Sequence, residues 1–319
     1  MSRNHAAFVM FIKASLLLAA FLSALIPMPV AAEQGKILIV NSDATVEKYR
    51  EVRDAFKSQL AASYTGRLID FDAQSDDQGA ALVKIIKDEN PDLVFGIGSK
   101  AYQLAVQFAG DKPVLFSSVI NWQRFGQHPH HYGITNELSL SQELSLLRFL
   151  LPGLNRVGVL YTPEFNNERI KEARVQIREV GLTLVEQPIS SAGELNTLLE
   201  KMLPGIDVLW LIADPGVLAD RASVENIFSR SNQYRKPVYT YSDAYTQYGA
   251  GLVASADTPT IGRQAATLAQ SILAGDVIKE AVQTPAGSHI SLNACQLDKL
   301  HTRYNNDALD AVNQLVECH

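Results

Sequence analysis

Cysteine is nearly absent from this chain of 319 residues: only Cys295 and Cys318 occur, both close to the C-terminus. Cys318 is the penultimate residue, which argues against a catalytic cysteine. Positive charge is also in deficit. The formal net charge is −6, which gives no support to nucleic-acid binding, a function that favours a basic face. G-x-S-x-G, H-E-x-x-H and P-loop motifs are missing too, and no nucleophile–base constellation asks for an enzyme. Long apolar runs occur once. "ASLLLAAFLSALIP" (Ala14 to Pro27) follows Arg3 and Lys13; it has the length of a signal-peptide core and is short for a spanning helix. Val30 and Ala32 supply the small residues of a cleavage site. Residues 1–32 are therefore expected to be a cleaved signal, with the protein exported to the periplasm; an uncleaved anchor is the alternative. In an oxidising compartment Cys295 and Cys318 are candidates for a disulfide, against two unrelated thiols.

The rest of the chain alternates. With 47% hydrophobic residues it can bury a substantial core. Short β-branched runs such as "KILIVN" (Lys36 to Asn41), "DLVFGI" and "PVLFSSV" are followed by segments with apolar residues at helical spacing, as at Val52, Phe56 and Leu60. After a looser stretch, Ile120 to Glu137, the alternation restarts with "RVGVLY", "DVLWLIAD" and "PVYTYS". Strands alternating with helices imply parallel sheets covered on both faces, and two such runs imply an α/β protein of two Rossmann-like lobes.

Ligands of open α/β sheets bind beyond the carboxyl ends of the strands. This rule selects Ser42, Gly98, Ser99, Ser117 and Ser118 in the first run. In the second it selects Tyr161, Asp214, Tyr241, Ser242 and Asp243. "GIGSKA" (Gly96 to Ala101) fits G-x-G-x-x-A, yet it follows the third strand, and the next strand ends in "SSV" without the acid a dinucleotide needs. No cofactor is expected. A tight strand-to-helix turn is, with backbone N–H groups facing a carboxylate. "HPHH" places His128, His130 and His131 together, but without helical or strand spacing it reads as a solvated loop and not a metal site.

The segment "YTYSDAYTQYGAGLVASADTPTIGRQAATLAQSILAG" resembles the tail of substrate-binding proteins of an ABC-transporter family. "GIGSKA", "PVLFSSV" and "GITNELSLSQELSLLRFLLPGLNRVGVLYTPEFNN" resemble its other landmarks in order. The resemblance implies a class I periplasmic binding-protein fold: two lobes, three hinge crossings and a small ligand, an amino acid among the candidates, in the cleft. Mapped onto this chain, lobe one comprises residues 36–136 plus 243–287, and lobe two residues 137–242 plus 288–319. Ser99 is then expected to hold a carboxylate and Asp214 or Asp243 an ammonium, with Trp122, Tyr161 or Tyr241 against the side chain. The family usually carries Asp-Pro after the fourth strand. Here "INWQRFG" stands in its place, so Trp122 offers a ring where the family offers a polar contact. The implied partner is the membrane permease of an ABC importer. The alternative is a ligand-sensing subunit that docks on a membrane receptor such as a histidine kinase.

Overall fold

The computed structural model describes residues 35–76, 79–126 and 128–318; the expected signal peptide and its cleavage site lie outside the described residues. β1 (Lys36–Asn41) is apolar at four successive positions and buried along that length, as a strand covered on both faces must be. It is flanked by β2 (Arg67–Asp72) and β3 (Leu93–Ile97), followed by β4 (Val114–Ser117), β5 (His131–Ile134) and β11 (Val282–Gln283), all parallel. The second sheet runs β13 (Gln314–Val316), β12 (Ser288–Asn293), β10 (Leu252–Ala256), β9 (Val238–Thr240), β8 (Val208–Leu211), β6 (Arg156–Tyr161), β7 (Thr183–Pro188). Among the described residues its only antiparallel pair is β10 with β12. The fold is therefore two-lobed α/β, as the alternation required.

Three segments cross between the lobes. Residues 135–139 join β5 to α4 (Leu140–Leu150), Asp257 joins β10 to α8 (Thr258–Ala274), and residues 284–287 join β11 to β12. Each is pinned by short polar contacts. Ser139 and Gln142 form a capping box at the start of α4. Asp257 caps α8 through the Thr260 N–H at 2.9 Å, and its own N–H donates to Gly287 O at 3.1 Å, which ties the second crossing to the third.

Helix α1 (Glu47–Leu60) buries Val52, Phe56 and Leu60 and packs along α8. The approach is close: a Cβ at Gly262 would fall 2.3 Å from Val52 O, so only glycine fits there. Phe56 and Phe95 stack with ring centroids 4.5 Å apart beneath this pair.

Three strands and one assignment depart from expectation. β5 lies in the stretch that reads as loose, because four residues beside a His- and Pro-rich turn give no usable period. β11 and β13 are edge strands of two and three residues, formed by pairing and not by their own pattern. The segment 252–256, expected in lobe one with 243–287, pairs instead in the second sheet, parallel to β9 and antiparallel to β12. "LVASA" is buried on both faces and needs hydrogen-bond partners on both edges. The edge of β9, one short turn back, is the nearest available. Helix α8 and β11 do return to the first lobe. Cys295 and Cys318 are disulfide-bonded and fasten β13 to the short helix α9 (Ala294–Lys299). Among the described residues no helix is long and apolar enough to cross a membrane.

Candidate functional site

A cavity of about 950 Å³ opens where the crossings pass between the sheets. Its wall is drawn from both lobes: Asn121, Trp122 and Gln123 after β4, Thr135, Glu137, Leu138 and Ser139 of the first crossing, and Thr284 of the third. From the second lobe come the first turns of α5 (Pro163–Glu179), Trp210 of β8 with Ile212 and Ala213 just beyond the strand, and Tyr241.

The first sheet ends beside this cavity in a row of aligned residues. Asn41 pairs with Ile97, Ile97 with Ser117, and Ser117 with Ile134, one residue before Thr135 of the cavity wall. Asn41, Ser117 and Ser118 are 3%, 0% and 7% exposed, and Asn41 Nδ2, Ser117 Oγ and Ser118 Oγ have no hydrogen-bond partner. Buried polar groups are rarely left so, because each costs on the order of 1–3 kcal/mol. Helix α3 (Ser99–Phe108) begins at the same end. Gly98 makes its turn at φ +89°, where a Cβ would meet Ser42 Oγ at 2.5 Å. Gly96 lies under the helix, a Cβ there reaching Tyr102 N at 3.1 Å. The glycine pattern thus serves a tight turn and close helix packing. Ser42 Oγ accepts from Ala101 N–H at 2.9 Å and caps the helix from a neighbouring strand.

The second lobe's strand ends are arranged differently. Asp214, 2% exposed, accepts five hydrogen bonds: from Thr162 N–H and Oγ1, Asn166 Nδ2, and the N–H groups of Gly216 and Val217, at 2.6–3.0 Å. Its oxygens are committed to the chain. Tyr161 is 5% exposed and belongs to the core. Asp243 accepts from Ser255 Oγ (3.0 Å) and Ser291 Oγ (3.1 Å), and Lys48 Nζ from the first lobe lies 3.7 Å away. Ser242 Oγ caps the short turn that follows it. Of the residues singled out from sequence, Trp122 and Tyr241 line the cavity itself. Trp122 packs on Phe116 at 5.7 Å, and the Tyr241 hydroxyl meets that of Tyr245 at 3.2 Å. Burial pushes the Tyr241 hydroxyl well above its usual range, so it stays protonated.

Three charged residues that sequence reasoning passed over meet at the base of the cavity. Arg169 on α5 donates to Glu143 Oε2 on α4 at 2.7 Å, with its guanidinium 5.7 Å from the Trp210 ring. The Trp210 indole also donates to Glu143. Burial depresses Arg169, but the charges of Glu143 and Glu137 outweigh it and hold the guanidinium above its ordinary value. Burial raises Glu143 against the pull of Arg169. Glu137, in the first crossing, is raised chiefly by burial; the Asn121 N–H holds its carboxylate, and Oε1 is out of contact with solvent and unpartnered. One signal was available. Glu143 sits in the apolar stripe of α4, with Leu140, Leu144 and Leu147, where a charge needs a buried partner.

The histidines form no such centre. His128 Nε2 contacts Phe125 O and His131 Nδ1 contacts the Tyr102 hydroxyl, and burial drives His131 down to about 4. Among the described residues no group of three or more His, Cys, Asp or Glu side chains is placed to hold a metal ion.

Two lobes whose strand ends face a cavity crossed by three hinge segments define a substrate-binding protein. The chain belongs to the family of ABC transporter substrate binding proteins, whose model matches residues 35–316. A tyrosine-binding protein of Clostridioides difficile is 24% identical over 238 residues, which is 72% of this chain and 65% of that protein, just under two thirds of its length. Among solved structures, the ligand-free, open form of a substrate binding protein with adhesive properties from Clostridium difficile superposes with a TM-score of 0.69 at 20% identity. It covers 89% of this chain and 100% of that one. An ABC domain from Streptococcus pneumonia in complex with L-Trp gives 0.59 at 18% identity, with the same coverage.

Proposed function

We propose that the protein captures an amino acid in the interlobe cavity and delivers it to an ABC importer in the periplasm. One observation carries this reading. Two kinds of buried, uncommitted polar group are involved: the donors Asn41 Nδ2, Ser117 Oγ and Ser118 Oγ at the end of the first sheet, where Ser117 pairs with Ile134 one residue before Thr135 of the cavity wall, and the acceptor Glu137 Oε1 of the wall itself. A zwitterion presents a carboxylate to the first and an ammonium to the second, and it satisfies both at once. The start of α3 at Ser99 adds the favourable end of a helix dipole on the carboxylate side. Trp122, Trp210 and Tyr241 supply apolar wall for a side chain. The names of the tyrosine-binding relative and of the L-Trp complex favour an amino acid of this kind. A ligand touching both lobes stabilises the form in which they approach, by its differential affinity.

The test is a thermal-shift screen of the purified protein against the proteinogenic amino acids. Binding to the folded state alone raises Tm, by about 2.7 kcal/mol of stabilisation at a hundred times Kd. At least one amino acid is expected to raise it with saturation. A flat response to all of them, with a shift from sugars or polyamines, contradicts the reading.

A further inference from the structure

The charges that line the cavity are unequal, and those facing it are not equally available. The cations are Arg169 and Lys171; the acids are Glu137, Glu143, Glu164, Glu168 and Glu172. Both cations are engaged already, Arg169 with Glu143 at 2.7 Å and Lys171 with Glu168 at 2.6 Å. What remains is negative, and its buried member is Glu137, with one oxygen shut off from solvent and unpartnered. The unpartnered groups at the end of the first sheet, Asn41 Nδ2, Ser117 Oγ and Ser118 Oγ, are neutral.

Resting on the amino-acid reading, we infer that the cavity recognises its ligand first through a primary amine bound at Glu137 Oε1, and that losing the amine costs more affinity than losing the carboxylate. The asymmetry follows from what each loss leaves behind. Without the amine, Glu137 Oε1 stays desolvated and unpartnered, and the cation near it, Arg169, is already paired with Glu143. Without the ligand's carboxylate, two hydroxyls and an amide go unpaired, which is a smaller penalty. The ligand class is thus amine-bearing and neutral or cationic. Deaminated acids and acidic amino acids are excluded, because the net negative wall repels them and neither paired cation is free to receive a second carboxylate.

Titration calorimetry on related compounds tests this. For tyrosine the series is L-tyrosine, tyramine and 3-(4-hydroxyphenyl)propanoate; for tryptophan it is L-tryptophan, tryptamine and indole-3-propanoate. If another amino acid wins the screen, its own amine and deaminated acid are used. The deaminated acid is expected to bind about thirty-fold or more weakly than the amino acid, and the amine within about ten-fold of it. Glu137→Gln is expected to abolish the gap between amine and deaminated acid. Its Tm should stay near that of the parent, since an amide can keep the Asn121 contact and carries no buried charge. Glu137→Asp, retaining the charge on a shorter stem, should recover part of the preference. If the deaminated acid binds as well as the amino acid, or Glu137→Gln leaves the ranking intact, the inference falls while the amino-acid reading survives. If no amino acid and no amine binds, both fall.

Discussion

The two lobes treat the polar residues at their strand ends in opposite ways. The first lobe leaves Asn41 Nδ2, Ser117 Oγ and Ser118 Oγ buried and unpartnered. The second closes its acid into the chain, with Asp214 satisfied by five donors from Thr162, Asn166, Gly216 and Val217. The contrast teaches that a polar residue after a strand is a ligand group only when its partners are not already in the chain. The second lobe contributes instead through a helix face and a crossing, where Arg169 and Glu143 frame Glu137.

The comparison can be broken most sharply at Asp214. Asp214→Ala removes an acceptor from five donors, three of them on backbone N–H groups, and is expected to destabilise the protein by about 3–5 kcal/mol. Thermal unfolding would record this as a clear fall in Tm. Ligand affinity, measured below the new transition, should change little. A large loss of affinity at unchanged Tm would place Asp214 in the binding site and erase the contrast. Next in size is the disulfide. Cys295→Ser with Cys318→Ser opens a loop of 23 residues, worth about 3 kcal/mol by chain entropy. Denaturant titration should show that loss without a change in ligand affinity, because the bridge lies at the far edge of the second sheet.

Smaller effects sharpen the first-lobe half. Ser117→Ala and Ser118→Ala each remove a hydroxyl that has no partner in the chain, so Tm should hold or rise slightly. Affinity for the best amino acid should fall by about 0.5–1.5 kcal/mol per site. Unchanged affinity in both variants would mean the donors face no ligand. The smallest is a pH effect. Burial raises Glu137, so part of its population takes up a proton as pH falls toward that raised value. A bound ammonium favours the ionised form. Amine affinity should therefore be full above the raised pKa and weaken as pH drops through it, by at most about ten-fold per pH unit. Arg169, Glu143 and the Tyr241 hydroxyl share its surroundings; Arg169 and Tyr241 keep their protons across this range. In the free protein the sign reverses: relief of the buried charge makes the fold more stable as pH falls through the same interval.

The fold was largely legible because α/β alternation is a long-range pattern repeated many times, as in β1, α1 and β2. It failed at β5, β11 and β13, where four residues or fewer hold their conformation by pairing with neighbours. It also failed at Leu252–Ala256, whose sheet is decided by which edge is open and not by its own residues. The site was half legible. The strand-end rule selected Ser117 and Ser118, but it could not tell an unpartnered hydroxyl from the committed carboxylate of Asp214 or the buried ring of Tyr161, since partners come from far along the chain. Glu137 escaped because crossings have no period. Only its burial between Asn121 and Arg169 gives it meaning.

A crystal structure of the protein with the best-binding amino acid tests the central claim most directly. The account requires the ligand carboxylate within hydrogen-bonding distance of Ser117 or Ser118 and the start of α3, and the ammonium on Glu137. A ligand seated against Asp243 or Asp214, with Glu137 still unpartnered, would contradict it.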